Sequence, residues 1–535
     1  MSYFFKNLDI LSSKFPYLYL LMLSKLEKKD SKSKLAKIKL DLEHVDVLFI
    51  YKCLSNVSYS KIKKWLSKKD KKVIFFEDNL NNLYDFFHLK IANDFLKNES
   101  VVFYFFQNLK QLLDQIVSSI RSKNVKIITF AQKDEKYQSL KDEILQNCLI
   151  SYYANHDRIY SYKIFKNFYS NLGALSSSFL INKFKNKFKN KPAIVLGAGP
   201  SLKYSFERLK KLQNRALIIA GGSAITCLSY ENILPHFGVI IDPNFEEYKR
   251  MKDNLFFEIP MIYSTRVNKG VFKTFNGPLG YIKAGICGFF EVWLDKGLNI
   301  SGKYIQNKHD EKALSVTTVS LMIAKMLGCN PIILDGVDLA FSQKKRYPLN
   351  IIKDNKLNDL EKDKYIFVSK DKNDKSVYTN LNWEIEKKWI SSFAKDNKNI
   401  KFINATKNGL KIDNVIDMPL DEIEEEYFID QFDYKSYIHF LSKQNRLNKI
   451  KKEDIQVLKL HLKKSFKKCK NYLQDIVKDF SDYKAILAKE EMSNEIAYKY
   501  FLFELEYTLN KFYQNSNNYP KLKEATDFFI KEFKE

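Results

Sequence analysis

Glycine is scarce in this chain, and its absences are informative. Only 16 of 535 residues are Gly and 11 are Pro. No glycine precedes Gly173, whereas 14 of the 16 lie between Gly197 and Gly336, and eight of the 11 prolines lie between Pro192 and Pro348. Tight turns and close approach of backbone to a ligand need glycine. The first third of the chain therefore has no glycine-rich phosphate loop, and a site is to be sought in the centre.

Arginine is scarcer still, with 8 Arg against 81 Lys. The formal charge of +26 would suit a polyanion partner, but the lysines run from end to end among Asn, Ile, Phe and Tyr. Dedicated phosphate grooves recruit Arg and cluster their charge. Runs such as Lys68–Lys72 and Phe184–Lys191 therefore read as solvated faces, and nucleic acid is not an expected partner. The excess would still speed encounter with anionic substrates. The six cysteines, Cys53, Cys148, Cys227, Cys287, Cys329 and Cys469, form no CxxC pair and no metal-ligand spacing, so they read as small buried hydrophobes in a reducing compartment. No apolar run approaches the ~18 residues of a membrane span, and Met1–Lys6 has no signal-peptide pattern. A soluble, cytoplasmic protein is expected. With 45% hydrophobic and 28% charged residues, the chain is not disordered.

Three zones follow. Residues 1–185 alternate apolar runs (Val47–Tyr51, Lys72–Phe76, Val101–Phe106, Val125–Phe130) with helical periods, such as Leu109, Leu112, Leu113, Ile116 and Ile120 within 107–122. This is α/β order, read as an accessory or structural domain. Residues 186–425 carry short unbroken apolar runs ending in turn residues: Ala193–Gly197, Ala216–Gly221, Phe237–Asp242, Met261–Ser264, Pro331–Asp335 and Ile400–Asn404. With helices between them, including Ser315–Gly328 capped by its glycine, they predict a doubly wound, mostly parallel, Rossmann-like sheet buried on both faces. The Lys/Asp/Asn-rich stretch Lys344–Asp374 is expected to be an exposed loop or lid. Residues 426–535 contain no Gly and one Pro. Their three-to-four spacing of Leu458, Leu462, Phe466, Cys469, Leu473, Ile476 or Val477, and Phe480 predicts a helical bundle or an arm packed on the sheet.

Ligands of such sheets bind beyond the carboxyl ends of the strands. The strongest local signal is Gly197-Ala198-Gly199-Pro200-Ser201, a strand entering a glycine turn and then a helix. Its backbone and helix N-terminus suit a phosphate, while Ser201 either caps the helix or binds the ligand. No Gly-Lys-Ser/Thr follows, which excludes a Walker loop. Leu202 stands where a dinucleotide fingerprint needs Gly, and the next strand ends in Ala220-Gly-Gly-Ser223 rather than an acid, so a nicotinamide dehydrogenase is not expected. Three further clusters fall on the same edge: Asp242-Pro-Asn244, Ser315-Val-Thr317-Thr318, and Asp335-Gly-Val-Asp338. The first offers a carboxylate for a ribose, base or metal, and the second offers hydroxyls and N–H groups for a phosphate or carboxylate.

Leu196–Leu202, Ile241–Pro243, Ser315–Thr318, Ala324–Phe341 and Phe402–Gly409 together resemble the Maf (motility accessory factor) family of flagellin glycosyltransferases. The match covers about residues 190–415, and the three-zone layout is similar too. The same domain is distantly similar to bacterial CMP-sialic-acid sialyltransferases and to archaeal pterin diphosphokinases. The resemblance implies transfer of pseudaminic or legionaminic acid from its CMP donor to Ser or Thr of flagellin, in the service of flagellar assembly and motility. It implies that Gly197, Ala198, Gly199 and Ser201 cradle the CMP phosphate or ribose. Ser223, Asp242 and Asn244 would contact the nucleotide. Lys312, Ser315, Thr317 and Thr318 would serve the phosphate and sugar carboxylate.

The chain departs from these patterns in two places. Ala198 replaces an Asn of the sialyltransferase turn, and no His follows the Asp338–Phe341 run. The general base therefore falls to Asp338 or Asp242, with Tyr347 and His309 behind them. The CMP-activated sugar is a substrate, no resident cofactor is implied, and a divalent metal is left open. The alternatives are an ATP-dependent pterin diphosphokinase and a non-catalytic flagellin-binding factor.

Overall fold

A computed structural model describes residues 3–24, 40, 42, 45–68, 71–107, 125–131, 136–137, 140–141, 144, 162–256, 258–286, 288–306, 315–341, 366–478, 480, 482–513 and 518–533. The described residues form two compact units that divide at Asp157. The described residues 162–185, assigned from sequence to the N-terminal domain, thus fold with the second unit, because their apolar side chains join that unit's core. The described residues of 186–425 and of 426–535 belong to the same second unit.

In the first unit, β1 (Val47–Tyr51), β2 (Lys72–Glu77), β3 (Val101–Phe105) and β4 (Val125–Thr129) form a parallel sheet in the order β3-β2-β1-β4. Each strand buries alternate residues on opposite faces. Leu48, Ile50, Val73 and Phe75 enter one cluster, while Val47, Phe49, Tyr51, Ile74 and Phe76 enter the other. The helical period expected over 107–122 lies, apart from Gln107, outside the described residues.

The second unit holds a nine-stranded sheet, all of whose pairings are parallel. Its strands are β5 (Phe179–Leu180), β6 (Ala193–Leu196), β7 (Leu217–Gly221), β8 (Phe237–Ile240), β9 (Met261–Tyr263), β10 (Leu279–Tyr281), β11 (Ile332–Asp335), β14 (Phe402–Asn404) and β15 (Ile416–Asp417). A separate hairpin pairs β12 (Ile366–Lys370) with β13 (Ser376–Asn380). The order β15-β14-β11-β6-β7-β8-β9-β10-β5 is the doubly wound topology that the apolar runs predict. Ile194, Leu196, Ile218 and Ala220 enter one core and Ala193, Val195, Leu217 and Ile219 the other, so both faces are covered.

The helix Val316–Leu327 packs on one face. A capping box between Ser315 and Thr318 starts it, and Gly328, at φ 85°, ends it in the left-handed region. The helix Lys452–Lys478 buries Leu462, Phe466, Cys469, Leu473 and Ile476 in the core of the other face, so the C-terminal helices do pack on the sheet. Phe480, expected in that stripe, is exposed. Part of the expected 344–374 loop is also ordered differently. Residues 366–370 form β12, because their backbone pairs antiparallel with β13 across a turn in which Asp371 accepts the N–H groups of Asn373 and Lys375. No helix among the described residues is long and apolar enough to cross a membrane. Cys53, Cys227, Cys329 and Cys469 are buried and free, whereas Cys148 and Cys287 lie outside the described residues.

Candidate functional site

Strand order reverses between β6 and β11, since β7 to β10 extend to one side of β6 and β14 and β15 to the other side of β11. Connections leave such a pair in opposite directions and open a crevice at its carboxyl end. Two loops meet there. The Gly197 N–H donates to the Asp335 carbonyl at 2.9 Å and the Gly199 N–H to the Gly336 carbonyl at 2.7 Å. A β-carbon added at Gly197 would lie 2.5 Å from the Gly336 oxygen, and one at Gly199 would lie 2.0 Å from Asp338 Oδ2. Only glycine fits either position.

Asp338 is fixed from all sides and 2% exposed. Its Oδ2 accepts the Ser201 hydroxyl at 2.6 Å and the Ser201 N–H at 3.3 Å. Its carbonyl accepts the Leu410 N–H at 2.9 Å, next to Gly409, where a β-carbon would sit 2.2 Å from that oxygen. Thr406 Oγ1 accepts the Val337 N–H at 3.0 Å, and Thr379 donates to the Leu339 carbonyl at 2.7 Å. Ser201 therefore neither caps a helix nor stands free. It lies inside a 3₁₀ turn, Pro200–Tyr204, and the α-helix begins only at Phe206. Of the turn's donors, the N–H groups of Gly197, Gly199 and Ser201 are engaged, while that of Ala198 meets no acceptor among the described residues. Asp335, wholly buried beneath, is pushed up to about 6 by burial; the Ser205 hydroxyl and Gly336 N–H pull it back down.

At the carboxyl end of β7, Gly222 takes φ 46° and Ser223 opens the helix Ser223–Tyr230. Gly221 faces Val316, so that the β7 end abuts the start of the helix Val316–Leu327. Beyond β8, Asp242 Oδ1 accepts the Asn244 N–H at 3.0 Å and the Asn244 side-chain amide at 2.8 Å. Asp242 Oδ2 lies 3.5 Å from the Arg250 guanidinium, which also pairs with buried Glu247 at 2.6 Å. Burial raises the Glu247 carboxyl, and Arg250 draws it back down. The Asp242 side chain is 38% exposed. Of the two carboxylates named as bases, Asp242 is thus the more exposed.

Ser315, Thr317 and Thr318 gather at one helix start, but a carboxylate already stands there. The Ser315 hydroxyl donates to Glu386 Oε1 and accepts the Thr318 N–H at 3.2 Å. The Thr317 hydroxyl also bonds Glu386. Burial pushes Glu386 up to about 7 against the pull of these two hydroxyls. Lys312, His309 and Tyr347 lie outside the described residues. Among the described residues no group of three or more His, Cys, Asp or Glu could hold a metal ion.

Sequence reasoning did not single out Arg250, Glu386, Thr379 or Thr406. Thr406 and Gly409 sit within the Phe402–Gly409 run that carries the family resemblance, so they were within reach. Nothing local marks Glu386, which arrives from the middle of the helix Leu381–Asp396.

The fold and edge define a doubly wound α/β domain with its polar residues at a switch point. A family model described as 6-hydroxymethylpterin diphosphokinase MptE-like matches residues 166–344, about a third of the chain. No curated protein sequence matches. Among solved structures, the MAf glycosyltransferase from Magnetospirillum magneticum AMB-1 is similar, at 13% identity and a TM-score of 0.46, over 99% of this chain and 95% of that one.

Proposed function

We propose that this chain is a glycosyltransferase that moves pseudaminic or legionaminic acid from its CMP donor to Ser or Thr of flagellin. The observation that carries this reading is the interlock of Gly197–Ser201 with Asp335–Asp338 at the switch point, within the motifs that resemble Maf proteins. The interlock holds a partly exposed turn in which the Ala198 N–H meets no acceptor among the described residues. In this reading the bond from sugar C2 to the phosphate oxygen breaks and CMP departs with both electrons. The acceptor oxygen bonds C2 from the opposite face, and Asp242 takes the hydroxyl proton. Asp338 positions the turn. Ser223 and Asn244 contact the nucleotide, and Lys312 adds charge to the phosphate. Preorganised donors at the leaving phosphate supply most of the rate gain.

Purified flagellin incubated with the chain and CMP-pseudaminic or CMP-legionaminic acid should release CMP. Intact-mass spectrometry should show flagellin from cells lacking the chain lighter by about one sugar residue per modified site. No CMP release and no mass change would sink the reading. The family-model match over 166–344 favours a second reading, an ATP-dependent pterin diphosphokinase. A thermal shift with ATP and Mg²⁺ but none with CMP would select it.

A further inference from the structure

In a chain of 81 Lys and 8 Arg, two arginines stand at the carboxyl ends of adjacent strands. Arg250 is committed to Asp242 and Glu247. The other, Arg266, follows β9 and is differently placed. Its Nη1 donates to the Ile286 carbonyl at 3.2 Å, in the loop after β10. Its Nε is buried and meets no acceptor among the described residues. Nε and Nη2 share the side edge of a guanidinium, the edge that grips an oxyanion through two parallel hydrogen bonds. Leaving a buried charged donor unmade is costly, and such groups call for a partner.

The backbone around Arg266 is braced. Asn171 Nδ2 donates to the carbonyls of Thr265 at 2.9 Å and Val267 at 2.7 Å. Asn167 Nδ2 donates to those of Pro243 at 2.9 Å and Arg266 at 3.3 Å. The Asn268 N–H donates to the Asp242 carbonyl at 3.0 Å. Both asparagines are buried, on the helix spanning residues 162–171. They clasp the loops after β8 and β9 into one ledge, which holds the Arg266 backbone beside Asp242–Asn244.

We infer that Arg266 binds a carboxylate or phosphate of the substrate side-on through Nε and Nη2. This rests on the reading of the central domain as a nucleotide-sugar site and adds the residue that holds the donor's anionic group. Calorimetric titration of the full chain with CMP, CMP-N-acetylneuraminic acid and ATP tests it, using wild type, Arg266→Ala and Arg266→Lys. The lysine variant keeps charge and a donor for Ile286 and is expected to keep the wild-type Tm, which separates binding from folding. Its affinity for CMP-N-acetylneuraminic acid should fall about tenfold or more. An equal fall for CMP identifies the phosphate as the bound group; an unchanged CMP affinity identifies the sugar carboxylate. If the wild type binds ATP and neither CMP ligand, the glycosyl-transfer reading fails, while a tenfold loss of ATP affinity in Arg266→Lys still supports the oxyanion role. Unchanged affinity for every ligand that the wild type binds overturns it, as does a wild type that binds none of the three.

Discussion

The two parallel sheets solve the same problem at their carboxyl ends in different ways. In the first unit, β1 and β2 are tied by a side chain: Glu77 accepts the N–H groups of Cys53 at 2.8 Å, Asp78 at 3.1 Å and Asn79 at 3.0 Å. A protein carboxylate thus occupies the place where a ligand anion would meet backbone donors. In the second unit, β6 and β11 are tied by backbone pressed on backbone, which Gly197, Gly199 and Gly336 allow. The Ala198 N–H and Arg266 Nε there meet no acceptor among the described residues, and the Asp242 side chain is 38% exposed. At the β1 and β2 ends of the glycine-free sheet a side chain takes up the loop donors, whereas at β6 and β11 glycine lets loop backbone bond loop backbone directly.

The largest effect should come from Gly199→Ala. The added carbon meets Asp338 Oδ2 at 2.0 Å and the Gly336 carbonyl at 2.6 Å, and neither can yield without breaking the interlock. A loss on the order of 4 kcal/mol is expected. Peptide-resolved hydrogen exchange should place it in the second unit, with protection of β1 to β4 unchanged. Exchange that accelerates equally in both sheets would refute the local interlock.

Two buried carboxyls sharpen the contrast. Glu77 and Glu386 are both pushed up to about 7 by burial. A raised carboxyl binds a proton in the folded state that the unfolded chain lacks between about 4.5 and 7. Its contribution is therefore full below pH 4.5 and lost as pH rises through 7. Glu386 accepts hydroxyls, and Gln can do the same. Glu386→Gln should then stabilise the second unit at pH 8.5 by on the order of 3 kcal/mol and flatten its pH dependence. Glu77 accepts N–H groups on both oxygens, so Gln would set a donor against a donor. Glu77→Gln should instead cost about 1–3 kcal/mol at every pH. Urea titrations at pH 5 and 8.5 check both signs.

Within the second unit, Asp338→Asn should cost about 2 kcal/mol by weakening a charge-assisted bond to Ser201. Asp242→Asn should leave stability within about 0.5 kcal/mol and lower kcat by roughly 10²-fold or more. A stable but fully active Asp242→Asn would remove it as the base.

Much of this architecture was legible because it is written in local pattern. Runs such as Ala193–Leu196 and Ile332–Asp335 contain no exposed face, so they had to be central parallel strands. The Ser315–Gly328 helix announced both of its caps. What escaped was written in distant pairs. β5, with two residues, and β15 are too short to show a period. Ser201 looked like a cap because its acceptor, Asp338, lies 137 residues away. Ser315 and Thr317 looked like open hydroxyls because Glu386 comes from another helix. Glycine content marked where backbone presses on backbone, at Gly197, Gly199 and Gly336, since close approach has no substitute residue, but it could not say which donors the approach would consume.

The smallest expected effect tests that last point. Gly173 is the first glycine of the chain and stands in the 3₁₀ segment Leu172–Ser177. A β-carbon there meets nothing within 4 Å. If close approach is what the central glycines are for, Gly173→Ala should be harmless, or stabilising by about 0.4–1 kcal/mol through the lowered entropy of the unfolded chain. Its Tm should equal or exceed that of the wild type, while that of Gly199→Ala falls. A loss at Gly173 comparable to that at Gly199 would mean that glycine serves this chain for chain freedom in general, and its clustering would then no longer point to a site.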